Sequence, residues 1–205
     1  RQITGNSFLI VFGFRLLLIK MFVNKFQTGT ADQRSNFHTD GQSLVINDVG
    51  NFADGYAVKK FKNVDINGNP GSDASGDFVD TDFPMFRLAD VYLMYAECAL
   101  RGGGNVGTGL SYVNLLRQRA YGNASGNVGS IDLQFILDER ARELHWEGHR
   151  RTDLVRFGKF TGGSYVWPWK GNTLNGSPTP SYRNIYPIPS NALAANSKLI
   201  QNSGY

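Results

Sequence analysis

The chain has 205 residues, 41% of them hydrophobic and 13% aromatic, which suits one folded domain or part of a larger one and excludes a disordered tail. Its net charge of +4 comes from 21 basic and 17 acidic residues without a dense Lys/Arg block, so nucleic acid is not an expected partner. The single cysteine, Cys98, excludes an internal disulfide framework. It lies inside an apolar helical run and reads as a buried thiol, not as a lipid-attachment site.

In chain order, residues 8–19 form the most hydrophobic run. It is shorter than the roughly 20 residues a membrane helix needs, and Arg15 interrupts it. No initiating Met precedes it and no small-residue cleavage site follows, so residues 1–21 read as the atypical start of a truncated fragment. Residues 29–82 are rich in Gly, Asn and Asp, with nine Asp and no Glu. Within them 44–46 and 56–61 are short candidate strands, and loop-rich structure is the alternative. The stretch 65–69 starts like a calcium loop, but Pro70 stands where that loop needs Gly and Gly76 where it needs Glu. A plain Asn/Gly turn is expected.

A helix is predicted over 84–101, opened by Pro84, with Leu88, Val91, Tyr92, Tyr95, Ala96 and Ala99 on its apolar face. Three glycines, Gly102 to Gly104, end it. A second helix over 110–120 turns Val113, Leu116 and Ala120 inward. Two helices joined by a short Gly loop form an antiparallel hairpin, and Ala96, Ala99 and Ala120 permit the close approach of a tetratricopeptide-type pair. One such pair cannot bury its own face, and the next helix is the obvious cover.

That cover lies in 131–160, which holds 12 of the 38 charged residues, six of each sign. Leu133, Ile136, Leu137, Ala141 and Leu144 recur on one helical face, with Ser130 as predicted N-cap. Asp138, Glu139, Arg142 and Glu143 fall mainly on the other, and Asp138 and Arg142 are spaced for an ion pair. Arg140 falls in the apolar stripe and must be paired. Gly148 breaks the helix, and a further helix over 149–157 ends at Gly158. A charge network through Arg140, Glu143, Arg150 and Asp153 is expected to pin the helix at 131–145 to the one at 149–157. Beyond Phe160 the chain becomes aromatic and loop-like.

The motifs for chemistry fall short. The Gly-rich stretch 102–107 matches GxGxxG but follows a helix, where a phosphate loop must follow a strand. The segment from His145 to His149 has Trp146 where a zinc protease motif needs Glu, and no third ligand is near in sequence. No metal or cofactor is expected. Glu139, Glu143, Glu147 and Asp153 could supply a carboxylate pair for glycoside hydrolysis, but the arginines around them would depress their pKa values and make poor general acids. No catalytic set emerges. Tyr165, Trp167, Trp169 and Tyr182 sit in a Gly-rich, acid-free segment with Asn172 and Asn175 nearby. Such rings and amides suit sugars; the weightier alternative is that the rings anchor a long loop to the core.

Five segments carry a family resemblance in order: Asp32 to Arg34; Asp54 to Tyr56 with Lys60 and Phe61; Phe86 to Glu97; Glu139 to Leu144 with Glu147 to Arg150, Asp153 and Leu154; and Tyr186 to Pro189 with Gln201, Asn202, Gly204 and Tyr205. From residue 22 to 205 the chain resembles the C-terminal part of SusD/RagB-type proteins. The resemblance implies a mainly α fold, with tetratricopeptide-like helix pairs, long loops and a few short strands. It implies a surface-exposed outer-membrane lipoprotein without catalytic activity, which binds oligosaccharide or polysaccharide and delivers it to a SusC-like TonB-dependent transporter. Membrane contact would run through a lipid anchor missing from this fragment. Family members are longer, and residues 1–21, Thr152, Ser197 and Ser203 depart from the pattern. Tyr165, Trp167, Trp169 and Tyr182 are therefore sugar candidates on their chemistry alone. The rival reading is a helical-pair scaffold that holds a protein instead of a sugar; a carboxylate glycosidase comes third.

Overall fold

The structure, a computed structural model, describes residues 17–18, 20–26 and 31–205. It divides into two compact units, residues 1–148 and 149–205. The first contains strand β1 (Leu17–Leu18), helix α1 (Lys20–Val23), strands β2 (Phe37–His38) and β3 (Tyr56–Val58), and helices α2 (Leu88–Cys98), α3 (Val106–Tyr121) and α4 (Leu133–Leu144). The second contains α5 (Arg150–Arg156) and α6 (Ser190–Ala195). The expected mainly helical architecture is observed. Apart from Leu17–Leu18, the hydrophobic run at 8–19 lies outside the described residues. No helix among the described residues is long and apolar enough to cross a membrane.

The strands make a small antiparallel sheet in the order β1-β3-β2, with Leu17 opposite Ala57 and Phe37 opposite Val58. Segment 44–46 is not a strand; Ser43 forms only an isolated bridge to Asp54. The stretch 65–69 is the expected turn, its Asp65 carboxylate accepting the amides of Asn67 and Asn69 at 2.8 and 2.9 Å.

The core of the first unit is built where α2, α3 and α4 meet: Ala89, Leu93, Ala96, Val113, Leu116, Ile136 and Leu144 are all buried. The spacing of the α2 residues, 89, 93 and 96, is the inward stripe of that helix. It is rotated from the predicted face, since Leu88 and Val91 are 62% and 49% exposed. Cys98 follows them to the outside, so the expected buried thiol is exposed.

The start of α2 also differs. The helix begins at Leu88, not Pro84, because Arg87 is extended (φ −131°, ψ 143°) and sends its guanidinium to Glu143 and Glu147. At the other end the helix loosens into a π-type turn at Ala99–Gly103, where Gly102 takes φ 93°. Then Asn105 caps α3 by accepting the Thr108 amide at 2.9 Å, which starts α3 four residues earlier than predicted.

The helix pair is close because Gly109 sits against Ala96: a Cβ at Gly109 would stand 3.0 Å from Ala96 Cα. Gly109→Leu is expected to wedge α2 from α3 and cost about 1–3 kcal/mol. Urea unfolding followed by circular dichroism measures this; an unchanged midpoint would contradict the tight approach.

Asp132, not Ser130, caps α4, accepting the Phe135 amide at 2.6 Å. The helix stops at Leu144, before Gly148, because the His145 backbone leaves the helical region at ψ 141°, and Trp146 follows at φ 68°. In the second unit α5 ends as predicted, with Gly158 at φ 66° and the Leu154 carbonyl accepting the amides of Lys159 and Phe160.

Candidate functional site

Helix α4 carries a charge network, and the exposure and i,i+4 pairing expected from its helical periodicity are not what is observed. The sequence pattern puts Glu139, Arg142 and Glu143 on a polar outer face, yet all three are buried. Helix α4 therefore buries two faces, one apolar and one ionic. Asp138 does not pair with Arg142; it takes Lys25, while Arg142 folds back on Glu139 at 2.6 Å, one turn earlier.

Glu139 is the centre. Its Oε1 accepts from Arg34 Nη1 at 2.7 Å, and its Oε2 accepts from Arg117 Nη1 at 2.9 Å and Arg142 Nε at 2.8 Å. The Phe135 ring lies beside the guanidinium groups of Arg117 and Arg142. Glu143, one turn on, accepts from Arg34, Arg87 and Arg119. Glu147 receives Arg87 in a bidentate pair, with both distances 2.7 Å, and also Lys60. Arg140 is paired as its position required, donating to Asp90 Oδ1 at 2.7 Å. The carboxylates of α4 are thus met by side chains from within the first unit. In the second unit Asp153 pairs with Arg156, and Arg150 donates to Tyr165 Oη at 3.0 Å.

Electrostatics argues against acid catalysis here. Burial alone would raise the Glu139 carboxyl, but the charges of Arg34, Arg142 and Arg117 outweigh it and hold the pKa below the usual range. Burial likewise opposes ionisation of Glu143, and Arg119, Arg34 and Arg87 still bring it down to about 2. Glu147 is lowered against its burial by Arg87 and Lys60. These groups hold no proton to give at neutral pH. His145 goes the other way for a base: burial first, then the Lys60 charge, push it down to about 4. Its Nδ1–H donates to the Arg142 carbonyl at 2.9 Å, which satisfies one of the open carbonyls in the last turn of α4.

The aromatic candidates lie in the second unit. Tyr165 and Trp167 meet edge to face with centroids 6.0 Å apart. Lys170, buried in this acid-free segment, donates to the Tyr165 carbonyl at 3.0 Å and sits 4.5 Å from the Trp167 ring. Trp169 adopts φ 69° and leads the 3-10 turn Lys170–Asn172. Tyr182 packs edge to face on Tyr205, 4.9 Å between centroids. All four candidate rings are half-buried, so they brace their loops while keeping part of their surface in solvent.

The ring that sequence reasoning passed over is Tyr186. It is 67% exposed, and the Arg151 guanidinium stacks 3.7 Å from its centroid. Two prolines, Pro187 and Pro189, hold the chain extended beyond it, and the Asn202 amide donates to its carbonyl at 2.7 Å. The Tyr-Pro-Ile-Pro run was the available signal, because alternating prolines keep such a segment out of a buried helix or strand.

The SusD family model matches residues 24–205. The starch-binding protein SusD of Bacteroides thetaiotaomicron is 42% identical over 178 residues, covering 87% of this chain and 30% of that protein. A SusD-like protein of Formosa agariphila is 31% identical over 195 residues, covering 87% of this chain and 35% of that protein. A solved SusD superfamily protein from Bacteroides thetaiotaomicron superposes with a TM-score of 0.64 at 26% identity, covering 91% of this chain and 40% of its own. The chain spans about a third of the length of these curated relatives.

Proposed function

The chain belongs to the SusD family, and on that premise we propose that it forms part of a non-catalytic glycan-binding protein. The protein would sit on the cell surface as an outer-membrane lipoprotein and pass captured oligosaccharide to a SusC-like TonB-dependent transporter. The observation that carries this reading is the match along most of the chain to a relative named for starch binding. Starch-like oligosaccharide is accordingly the first ligand to try. Two features of the chain support binding over hydrolysis. Its buried carboxylates are held ionised by arginine and lysine, and its half-exposed aromatic rings and side-chain amides lie in loops without acid groups. Tyr165, Trp167, Trp169 and Tyr182 are the proposed contacts, with Tyr186 added for its exposure.

Calorimetry with maltoheptaose tests this. Trp167→Ala and Trp169→Ala are each expected to weaken binding about tenfold, or ~1.4 kcal/mol, with no sugar consumed. Unchanged affinity in both would remove the aromatic loops from the site, and release of shorter sugars would mean an enzyme.

A second reading, a helical scaffold for a protein partner, has its own support. The outer face of α2 leaves Leu88, Val91 and Met94 exposed in one stripe. Absence of binding to any oligosaccharide, together with tight binding to the transporter, would favour it.

A further inference from the structure

Six cations, Arg34, Lys60, Arg87, Arg117, Arg119 and Arg142, converge on only four carboxylates, those of Asp32, Glu139, Glu143 and Glu147. Counted over the described residues, that cluster carries two positive charges beyond what its own acids neutralise. The excess opens onto a cleft of about 360 Å³ whose lining includes Arg34, Lys59, Lys60, Arg119 and the amide side chains of Gln33 and Asn36, and no carboxylate.

The donors divide into spent and unspent. The Lys60 ammonium uses its three N–H groups on the carbonyls of Glu143 and His145 and on Glu147. Arg34 is likewise occupied by Asp32, Glu139 and Glu143. These two supply field, not contacts. Arg119 differs: among the described residues only its Nη2 is engaged, on Glu143, and its side chain is 54% exposed. Lys59 is half-buried at the wall and makes no hydrogen bond or ion pair among the described residues. An ammonium without a hydrogen-bond partner among the described residues, an arginine with free N–H groups and two amides, in a concave site with residual positive charge, match the needs of a small oxyanion.

We propose that this cleft binds an oxyanion, a carboxylate or sulfate, either as a free ion or as the acid group of a sugar. The inference lies in the first unit and does not depend on the aromatic loops of the second.

The test is a nuclear magnetic resonance titration of the 15N-labelled chain at constant ionic strength, with chloride as balancing salt. The probes are sodium sulfate, sodium glucuronate and neutral glucose. Sulfate or glucuronate should give saturable shifts at the amides of Lys59, Arg119 and Gln33, and glucose should leave those amides unmoved. Saturation by glucuronate assigns a sugar acid as a source; saturation by sulfate alone assigns the free ion. Lys59→Glu should weaken binding at least tenfold, and Lys59→Arg should retain it. Non-saturating shifts equal to those from chloride overturn the proposal, as does a dispersed Lys59→Glu spectrum that titrates like the parent. Should Lys59→Glu lose its dispersed spectrum, Lys59→Gln replaces it; at least fivefold weaker binding supports the site and unchanged binding overturns it.

Discussion

Glu139→Ala is expected to destabilise the chain by about 3–5 kcal/mol, a large share of the roughly 5–15 kcal/mol by which a domain is stable. Glu139 is fully buried and accepts from three guanidinium groups. Removing it does not delete a pair. It strands Arg117 and Arg142 at an uncompensated positive centre, while Arg34 keeps Asp32 and Glu143, and Arg117 is itself buried. The cost is dominated by those charges stranded in a low dielectric, more than by the hydrogen bonds that Glu139 accepts. Asp138→Ala is the contrast. Asp138 is one residue away, its side chain is 26% exposed, and Lys25 is its partner. That change leaves only the Lys25 ammonium, itself 11% exposed, without its partner, and is expected to cost about 1–3 kcal/mol. Urea unfolding of both variants decides the matter: equal midpoints for the two would mean that the α4 cluster does not hold the fold together.

Acidification should weaken the fold in two separate windows. His145 has an ordinary pKa of 6.5 and a folded value of about 4. Between those values the unfolded chain binds the extra proton, so stability rises with pH there. The contribution is complete above 6.5 and gone by about pH 4, and the shift corresponds to a ceiling of roughly 3 kcal/mol. The physical cause is the burial of the ring beside Phe22 and Phe26, next to the Lys60 ammonium. Glu143 acts lower. Its folded pKa of about 2 lies below the ordinary 4.5, so its contribution is present above 4.5 and lost as pH falls through 2. A urea midpoint at about pH 2.5 reports Glu143, and midpoints at pH 7, 5.5 and 4 report mainly His145. His145→Gln should flatten the slope over that range, because glutamine can still donate to the Arg142 carbonyl but does not titrate. A variant that retains the parent slope would place the loss elsewhere. The second window, below pH 4, should remain in both proteins.

Both effects arise in one ion cluster, and the segments that carry the family resemblance build it. Asp32 and Arg34 from the first meet Lys60 from the second, Arg87 from the third, and Glu139, Glu143 and Glu147 from the fourth. The positions of the helix pair and of α4, by contrast, follow from local rules: apolar spacing, the Gly run after α2 and Gly158 after α5.

The fold class, the tetratricopeptide-like pairing of α2 and α3, and the obligation of Arg140 to find a partner were all legible along the chain. Each depends on residues near one another in sequence or on the cost of an unpaired buried charge. The ionic core was not legible. Glu139, Arg142 and Glu143 look like a solvated helix face because charged residues are usually exposed. Arg34 and Arg117, more than twenty residues away in sequence, turn that face into a buried ionic core. Periodicity could not rank Leu88 against Leu93 on α2, because both lie on a wide apolar surface and only the approach of α3 and α4 selects which side is covered. The unspent donors of Lys59 and Arg119 were invisible for the same reason. Whether a charge is satisfied depends on which distant acids the fold brings to it.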